Sequence, residues 1–400
     1  MKKTSTVRAS RRIALASAAM LTLATLAGCG SASPVAPASA SVSASAESAA
    51  ATATPEASAS ESASASTKAA AGPYYAADAT AESIVKDAAG KGMVGNWGLG
   101  NEYEIQALLS KYGQPVTFLS QAFDMDGFDD DSILLASAMT YNELGLVKNS
   151  YDGGYKYGDK VGFIDMNDEG VAMLEDNLFC SKKFAAANPN TVKAFIAATM
   201  KGWKDACADP AAAAEIVFKY GSSVSAEHQA YMAGEVKKLV ETDTTGATVT
   251  EYGKLDDAAL GQTLELAKQY IALKDAAAAD KLKAMTLDDI RDASFLAGSA
   301  TAGTPEKSKV TIQLKWLPQA QFMGYYVALD KGYYKEAGLD VTIVPGGGDI
   351  SETTAVYSGQ VDFGVTWVSN LIAANAGGMD LVEVAQVFQR SGLVLVYKTN

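Results

Sequence analysis

From about residue 73 onward, the sequence alternates short apolar runs with helical patterns. Because a helix returns the chain so that the next strand can pair, this alternation predicts an α/β fold. The strands expected from the apolar runs are Met93–Trp97, Thr117–Ser120, Ala136–Thr140, Val161–Asp165, Val310–Leu314, Asp340–Val344, Phe363–Val365 and Leu393–Tyr397. The expected helices are Glu102–Tyr112, Pro189–Ala208, Ala211–Lys219, Ala226–Glu241, Ala258–Leu273, Phe322–Ala337 and Ser351–Gly359.

The composition excludes several classes of function. The chain carries 33 Lys and Arg residues against 46 Asp and Glu residues, a net charge of -13 that argues against nucleic acid as a partner. His228 is the only histidine, which argues against histidine-based metal sites and against Ser–His or Cys–His catalysis. Three cysteines do not make a disulfide-rich scaffold. We therefore expect no metal, no cofactor and no catalytic residue.

The N-terminus has the pattern of a targeting segment. A basic start, with Arg11 and Arg12 as its last charges, precedes an apolar stretch from Ile13 to Leu26. The stretch ends in Leu26-Ala27-Gly28-Cys29, which resembles the bacterial lipobox, in which the cysteine becomes the first mature residue and carries the lipids. Residues 1–28 are thus interpreted as a lipoprotein signal peptide and Cys29 as the lipidation site. The implied location is the outer face of the cell membrane, with the protein held by acyl chains.

Two segments have the composition of linkers. Residues 29–72 are mostly Ala, Ser, Thr, Pro and Glu, with no aromatic residue, Leu or Ile after the anchor. They cannot bury enough apolar surface to offset the loss of chain entropy, so we interpret them as a disordered spacer behind the anchor. Residues 297–308 are a second small and polar break. These breaks delimit two folded portions, 73–296 and 309–400.

The last portion carries the most specific motifs. It begins with a strand, an aromatic loop around Trp316 and a helix containing Tyr-Val-Ala, and it continues with Lys-Gly-Tyr-Tyr and Gly-Leu-Asp-Val. This order resembles the beginning of the substrate-binding proteins of ABC importers related to the thiamine-pyrimidine and alkanesulfonate binders, the THI5-like family. Further segments resemble later parts of that family: Val361–Val365, Phe388–Ser391, Val94–Glu102, Met139–Glu143, Asn167–Gly170 and Leu174–Asp176.

The two portions stand in the reverse of the family order. The portion resembling the family's N-terminal part, 309–400, follows the portion resembling its C-terminal part, 73–296. We interpret this as a circular permutation with 297–308 as the joint, since the termini of domains often lie close together. We expect 309–400 to form the first lobe, and 73–296 to form the second lobe plus helices that return to the first. A fusion of two separately folding fragments is the alternative.

The resemblance implies a two-lobed periplasmic-binding-protein-like fold of type II with a ligand in the cleft. Open α/β sheets bind ligands beyond the carboxyl ends of their strands, and the residues that follow the expected strands are therefore candidates for ligand contact. In the first lobe, aromatic and amide side chains suit a flat heteroaromatic ligand. In the second lobe, carboxylates and amides suit a ligand rich in N–H donors. The complete candidate set is Trp97, Asn101, Glu102, Tyr141, Asn142, Glu143, Glu169, Trp316, Gln319, Gln321, Phe322, Tyr325, Trp367, Ser369 and Asn370.

Several of these residues also have purely structural interpretations. Glu102 would equally compensate the dipole of the helix that it begins, and Asn101 would cap that helix. One of Tyr325 and Tyr326 is expected in the core. Elsewhere, the acidic segment 124–131 lacks the full spacing of a calcium loop, and His228 is expected to be a solvated surface residue.

The cysteines and the function leave alternatives open. Cys180 and Cys207 would both be exported, so a disulfide between them is permitted but not required. The expected function is a solute-binding lipoprotein that captures a thiamine pyrimidine precursor and delivers it to an ABC permease. The alternatives are a binder of riboflavin or another heterocycle, and an enzyme similar to the pyrimidine synthases of the same superfamily. Those synthases use a cysteine-rich iron motif and consume their own histidine, and neither feature stands in the matching loop of this chain.

Overall fold

The fold was analysed in a computed structural model, which describes residues 74–151, 153–296 and 303–400. The predicted signal peptide, Cys29 and most of the two linkers lie outside the described residues. Among the helices described, none has both the length and the apolar character that crossing a membrane requires.

The described residues form an α/β fold, as the alternation predicted. The strands are β1 (Val94–Asn96), β2 (Leu119–Ser120), β3 (Leu135–Met139), β4 (Val161–Asp165), β5 (Asn177–Ser181), β6 (Lys309–Gln313), β7 (Asp340–Val344), β8 (Phe363–Thr366), β9 (Leu381–Gln386) and β10 (Leu393–Lys398). The helices are α1 (Ala81–Gly90), α2 (Glu102–Lys111), α3 (Asp126–Asp129), α4 (Glu143–Lys148), α5 (Lys182–Ala187), α6 (Pro189–Ala208), α7 (Pro210–Tyr220), α8 (Ala226–Glu241), α9 (Asp257–Lys274), α10 (Ala279–Ala284), α11 (Leu287–Ile290), α12 (Met323–Asp330), α13 (Tyr333–Glu336), α14 (Glu352–Tyr357) and α15 (Val368–Ala376).

The strands make two five-stranded mixed sheets, one in each lobe. The sheet of the first lobe has the order β7-β6-β8-β5-β9, in which β5 runs antiparallel to both of its neighbours. The sheet of the second lobe has the order β2-β1-β3-β10-β4, in which β10 is the antiparallel strand. Each sheet thus holds parallel strands and one strand that returns from the other lobe. This is a two-lobed architecture of the periplasmic-binding-protein type.

Each sheet combines strands from both sequence portions. Strand β5 belongs to the portion 73–296 and pairs with β8 and β9 of the portion 309–400. Strand β10 belongs to the last portion and pairs with β3 and β4 of the earlier one. The two portions therefore complete each other's cores. This arrangement excludes the alternative of two separately folding fragments.

The position of β10 corrects the predicted lobe boundaries. We expected Leu393–Tyr397 within the first lobe and one of the two lobe crossings to be interrupted. Instead, β10 lies in the sheet of the second lobe, because its backbone groups pair on both sides with β3 and β4. Both crossings, at residues 166–176 and 387–392, are covalent. The chain is therefore continuous at both crossings between the lobes.

The first and last described residues lie side by side in the second lobe. The N–H of Tyr75 donates to the carbonyl of Lys398 at 2.9 Å, and the N–H of Asn400 donates to the carbonyl of Tyr75 at 3.1 Å. The described part of the joint lies elsewhere. Glu306 accepts hydrogen bonds from the N–H groups of Asn190 and Thr191 at the start of α6, beside the N-terminal end of β6. This end of the sheet is opposite the cleft, which agrees with the permuted order.

The two crossings are fastened to each other by polar contacts. The amide of Asn167 on the first crossing donates to the carbonyl of Ser391 on the second at 2.9 Å. The carboxyl group of Glu175 accepts from the N–H of Gly392 at 2.9 Å, and Glu104 of α2 accepts from the N–H of Met173 at 2.7 Å. Both crossings and the second lobe are thus linked through buried carboxyl groups, which define the hinge region.

Helices α6 and α12 cross at glycines in the core of the first lobe. A Cβ atom at Gly324 would lie 2.2 Å from the ring of Trp203, and one at Gly202 would lie 2.2 Å from the carbonyl oxygen of Gly324. Trp203 is fully buried, so its indole ring has no room to withdraw. The two helices can therefore approach this closely only because Gly202 and Gly324 have no side chain.

Substituting Gly324→Ala is expected to destabilise the protein by about 1–3 kcal/mol, because an added methyl group overpacks this contact. Urea unfolding of the purified protein measures the loss. Gly234→Ala in α8 is the matched control, since a Cβ there meets no atom within 4 Å and alanine favours helix. The control is expected to gain about 0.5–1 kcal/mol. Equal effects of both substitutions would contradict the proposed crossing.

Candidate functional site

The lobes enclose a cavity at the carboxyl ends of their strands. It holds about 430 Å³ of space not occupied by atoms. Residues that follow β1 and β3 face it from the second lobe, and residues that follow β6 and β8 face it from the first. Its lining consists of Trp97, Leu99, Phe123, Met139, Tyr141, Asn142, Glu143, Lys315, Trp316, Gln319, Gln321 and Trp367.

Five of the twelve residues that line the cavity are aromatic. Trp316 of the first lobe meets Phe123 of the second edge to face, with ring centroids 4.9 Å apart. Trp97 is oriented by a hydrogen bond of 3.0 Å from its Nε1 to the carbonyl of Ala122. Trp367 follows β8, and its buried indole Nε1 lies beside the carboxyl group of Asp176. Flat walls suit a planar ligand.

Glu143 is the buried carboxyl group of the second lobe that lines the cavity. It begins α4 directly after the turn that follows β3. Its Oε2 accepts from the N–H of Met139 at 2.9 Å, and its Oε1 accepts from Nδ2 of Asn142 at 2.6 Å. Burial raises the pKa of Glu143 to about 7, although both hydrogen bonds act in the opposite direction. A neutral pH thus leaves this group poised between its two protonation states.

A second polar chain supports the cavity from the first lobe. Gln319 donates from Nε2 to Oε1 of Gln321, and Gln321 donates from Nε2 to Oδ2 of Asp176, each at 2.8 Å. The other oxygen of Asp176 has no partner among the described residues. Burial raises the pKa of Asp176 to about 7, and the bond from Gln321 lowers it. The amides are therefore fixed in one direction by the carboxyl group behind them.

Lys315 supplies the positive charge of the cavity. Its Nζ lies 3.2 Å from Oε1 of Glu352 and 4.4 Å from the ring centroid of Trp367. Both charged side chains are almost entirely buried, so their pairing satisfies charges that would otherwise be costly in this environment. The ammonium group also holds the indole of Trp367 by a cation–π contact.

The structure brings many of the predicted residues together in the cavity lining. These are Trp97, Tyr141, Asn142, Glu143, Trp316, Gln319, Gln321 and Trp367. Glu102 and Asn370 line an adjoining groove instead, which shares Leu99, Lys315 and Trp316 with the cavity. In that groove the carboxylate of Glu102 is engaged by Lys274 at 3.0 Å and by the N–H of Gly100 at 2.6 Å.

Other predicted site residues lie away from the cavity lining. Phe322 and Tyr325 are buried in the first lobe, because the packing of α12 on α6 directs Tyr325 toward Trp203. Glu169 is bound by Lys111 and Tyr112 on α2. These three residues therefore do not line the cavity.

Asn101 and Ser369 also make structural contacts. Asn101 stands at the start of α2, but its side chain makes no cap and accepts from Asn96 at 3.2 Å. Ser369 donates to the carbonyl of Gly100 at 2.6 Å, and the neighbouring Asn370 donates to the carbonyl of Leu99 at 3.0 Å. The two residues of the first lobe thus fasten the glycine turn of the second lobe.

The prediction for His228 was wrong. The side chain is buried rather than solvated, and Nε2 lies 2.8 Å from Oδ1 of Asn142, a residue of the cavity lining. Its Nδ1 meets the hydroxyl of Tyr151, and its ring stacks on that of Tyr231. Burial lowers the pKa of His228 to about 4, so the imidazole is neutral at neutral pH.

The permitted disulfide is absent. Cys180 and Cys207 are both buried free thiols. Cys180 lies on β5 within the sheet of the first lobe, whereas Cys207 lies at the end of α6 in a different environment that includes Glu241 and Tyr252. Within the described ranges, no group of three or more His, Cys, Asp or Glu side chains is arranged to hold a metal ion.

Comparison with known proteins identifies the family. The family model described as NMT1/THI5 like matches residues 64–213 and 319–400, which is more than half of the chain. The chain belongs to the NMT1/THI5-like family. The matched residues include both sides of the cavity, from Trp97 to Glu143 and from Gln319 to Trp367.

Curated relatives are similar over shorter segments. A 4-amino-5-hydroxymethyl-2-methylpyrimidine phosphate synthase of Saccharomyces cerevisiae is 32% identical over 89 residues, 22% of this chain and 26% of the relative. The formylaminopyrimidine-binding protein of Halalkalibacterium halodurans is 32% identical over 78 residues, 20% of this chain and 24% of the relative. The riboflavin-binding protein RibY of Chloroflexus aurantiacus is 28% identical over 106 residues, 26% and 30% of the two chains. The similarity thus spans less than a third of each of these relatives.

Proposed function

We propose that the protein is an extracytoplasmic solute-binding lipoprotein that captures a small planar heteroaromatic, of the aminopyrimidine type, for an ABC importer. The observation that carries the proposal is the interlobe cavity, which combines tryptophan walls with the buried carboxyl group of Glu143. A small planar ring would lie against these aromatic side chains, and its exocyclic amino groups would donate to the acceptors at the edge of the cavity.

The polar groups of the cavity favour an aminopyrimidine over a purely apolar ring. Glu143 accepts hydrogen bonds at one side, while the direction of the chain through Gln319 and Gln321 leaves Oε1 of Gln319 free to accept at the other. Such acceptors complement the N–H donors of an aminopyrimidine. Bacterial relatives that bind formylaminopyrimidine and riboflavin support the same role.

The anchor and the transporter complete the proposed function. The Cys29 motif would hold the protein at the outer face of the membrane, and the linker would let the two lobes stand away from the lipid surface. Closure of the lobes on a ligand would create the surface that the permease recognises. Ser369 and Asn370 already join the two lobes through their bonds to the carbonyls of Gly100 and Leu99, and a closed form would keep these contacts.

Binding of 4-amino-5-hydroxymethyl-2-methylpyrimidine is expected to quench tryptophan fluorescence, because Trp97, Trp316 and Trp367 line the cavity. Titration of the purified protein with this compound, with formylaminopyrimidine and with riboflavin measures the affinities. Native mass spectrometry of the protein as isolated identifies any ligand already bound. Absence of binding to all three compounds, together with an empty protein, would contradict the proposal.

A longer heterocycle such as riboflavin is the second candidate. The adjoining groove has a volume of about 910 Å³ and continues from the cavity past Trp316 and Lys315. Its walls carry hydroxyl groups from Ser351, Thr353 and Thr354, which suit a hydroxylated chain. If riboflavin binds more tightly than the pyrimidines, the groove is part of the ligand-binding site.

An enzymatic role is tested in the same experiments. One of the relatives is a pyrimidine phosphate synthase by name, and the synthases that the sequence analysis considered consume their own histidine and use iron. Measuring the iron content of the purified protein, then incubating it with ferrous iron and following it by intact-mass analysis, detects either released product or a modified His228. Product formed in proportion to protein would replace the binding role by an enzymatic one.

A further inference from the structure

The single histidine of the chain lies between the lobes. Helix α8 packs on α7 and on the turn Ala320–Phe322 of the first lobe, where Gln229 accepts from the N–H of Ala320 at 2.8 Å. From the same helix, His228 reaches Asn142 of the second lobe at 2.8 Å, and Tyr231 donates to the carbonyl of Thr140 at 2.7 Å. Helix α8 thus contacts the strand end that carries the cavity residues.

We infer that His228 is a positioning residue, which holds the Asn142 side chain in the one orientation that keeps Glu143 a hydrogen-bond acceptor for the ligand. The inference rests on the proposed ligand-binding function, to which it adds a determinant of specificity.

The direction of the hydrogen bonds follows from the partners. Oδ1 of Asn142 can only accept, so Nε2 of His228 carries the proton, and in the neutral imidazole Nδ1 is then unprotonated and accepts from the hydroxyl of Tyr151. The proton on Nε2 is donated to Oδ1 of Asn142, which leaves Nδ2 of Asn142 to donate to Glu143 at 2.6 Å. Because Glu143 also receives the N–H of Met139, both of its oxygens are surrounded by donors.

Loss of the imidazole would release this arrangement. An amide without the donor at position 228 can rotate and present its oxygen to Glu143, and an oxygen there favours the protonated carboxyl group. A protonated Glu143 would present a donor to the amino group of the aminopyrimidine, which is itself a donor and needs an acceptor. The other titratable groups that face the region are Tyr151 and Tyr231 against His228, Glu235 near Tyr231, Tyr141 and Lys315 in the lining, and Asp176 and Glu175 near Tyr141. None of them contacts Asn142 through a hydrogen bond in the described residues.

The tautomer is directly measurable, because His228 is the only imidazole in the chain. The untagged protein labelled with ¹⁵N-histidine is expected to give one pair of signals, with Nε2 protonated and Nδ1 unprotonated at pH 7. Substituting Asn142→Ala is expected to shift the Nε2 signal. Protonation of Nδ1 alone, a charged imidazole, or an unchanged signal in the Asn142 variant would overturn the inference.

Ligand binding gives the second test. His228→Phe is expected to weaken binding of the pyrimidine at least about tenfold at pH 7 and to move the pH dependence of binding upward, because Glu143 then holds its proton more tightly. His228→Gln keeps an N–H near the position of Nε2 and is expected to restore affinity to within about threefold. A pH profile that stays in place in His228→Phe would contradict the positioning role.

Tyr231→Phe is the matched control, since it removes the other cross-lobe hydrogen bond of α8 without touching Asn142. Its affinity is expected to fall less than that of His228→Phe, with the pH profile unchanged. If both variants lose the same affinity and neither changes the pH profile of binding, His228 only contributes a contact between the lobes and does not position Asn142. If the unaltered protein binds no pyrimidine, the proposed function fails, while the tautomer measurement still decides the role of His228.

Discussion

Replacing Glu143 with Gln is expected to weaken binding of the aminopyrimidine about ten- to hundredfold, corresponding to about 1.5–3 kcal/mol for a hydrogen bond to a charged group. Glu143 lines the cavity, and its neighbours leave it no role except that of an acceptor. A glutamine would place an amide donor against either the N–H of Met139 or Nδ2 of Asn142. Fluorescence titration at pH 8, where the carboxyl group is mostly ionised, measures the change.

Glu102→Gln is the matched control for this substitution. Both glutamates begin a helix after a strand of the second lobe, and both are buried. Glu102, however, faces the adjoining groove and is already bound by Lys274 and by the N–H of Gly100. We expect its replacement to leave pyrimidine affinity within about twofold. Unchanged affinity in the Glu143 variant, or an equal loss in both, would remove Glu143 from the ligand contacts.

The rule that ligands bind beyond the carboxyl ends of strands predicted much of the site. Trp97 follows β1, Glu143 follows β3, Trp316 follows β6 and Trp367 follows β8, and all four line the cavity. These residues could be predicted because their positions depend on local strand ends, which apolar patterns reveal. The prediction failed for Tyr325, because the choice between core and cavity depends on the rotation of α12 against α6.

The residues that the sequence analysis missed depend on contacts between distant segments. Asp176 supports Gln321, which is separated from it by 145 positions, and His228 reaches Asn142 across 86 positions. A polar helix seemed to place His228 in solvent, but the cross-lobe packing of α8 buries it. Lys315 directly precedes Trp316 after the end of β6. The rule that ligands bind beyond the carboxyl ends of strands could therefore have predicted it as a cavity residue. Its pairing with Glu352 was not visible in the sequence.

The strands missed from the sequence were β5 and β9, which lie in the middle and at one edge of the same sheet. Strand β9 contains Glu383 and Gln386 among apolar residues, and every residue of the strand is buried. A charged residue at a fully buried position contradicts the expected pattern. The missing strands also concealed that β10 returns to the second lobe.

The protein is expected to lose stability as the pH rises from 5 to 8. Five buried carboxyl groups have pKa values raised by burial: Glu143 and Asp176 to about 7, Glu104 and Glu383 to about 8, and Glu175 in the same direction, with the charge of Glu104 as a further cause. In the unfolded chain such groups titrate near pH 4. Between these values the folded protein holds more protons than the unfolded chain, so the free energy of unfolding falls with increasing pH.

The size of this effect follows from the linkage between protonation and folding. Each raised carboxyl group contributes about 1.4 kcal/mol per pH unit within its window, so even two of the five would remove roughly 4 kcal/mol between pH 5.5 and pH 7. Such a loss is a large part of the 5–15 kcal/mol that is typical of folded domains. The lowered pKa of His228 has the opposite sign, since its contribution is lost only as the pH falls from about 6.5 toward 4.

Urea unfolding of the ligand-free protein at pH 5.5, 6.5 and 7.5 measures the slope. Glu383→Gln provides the sharpest comparison, because Glu383 lies on β9 outside the cavity lining, where burial raises its pKa while Asn177 and the charge of Arg291 lower it. This variant is expected to be more stable than the unaltered protein at pH 7.5, and to show a shallower decline with pH. A stability that is constant or increases over this range would mean that water or motion at the hinge satisfies these carboxyl groups, and that their burial does not control folding.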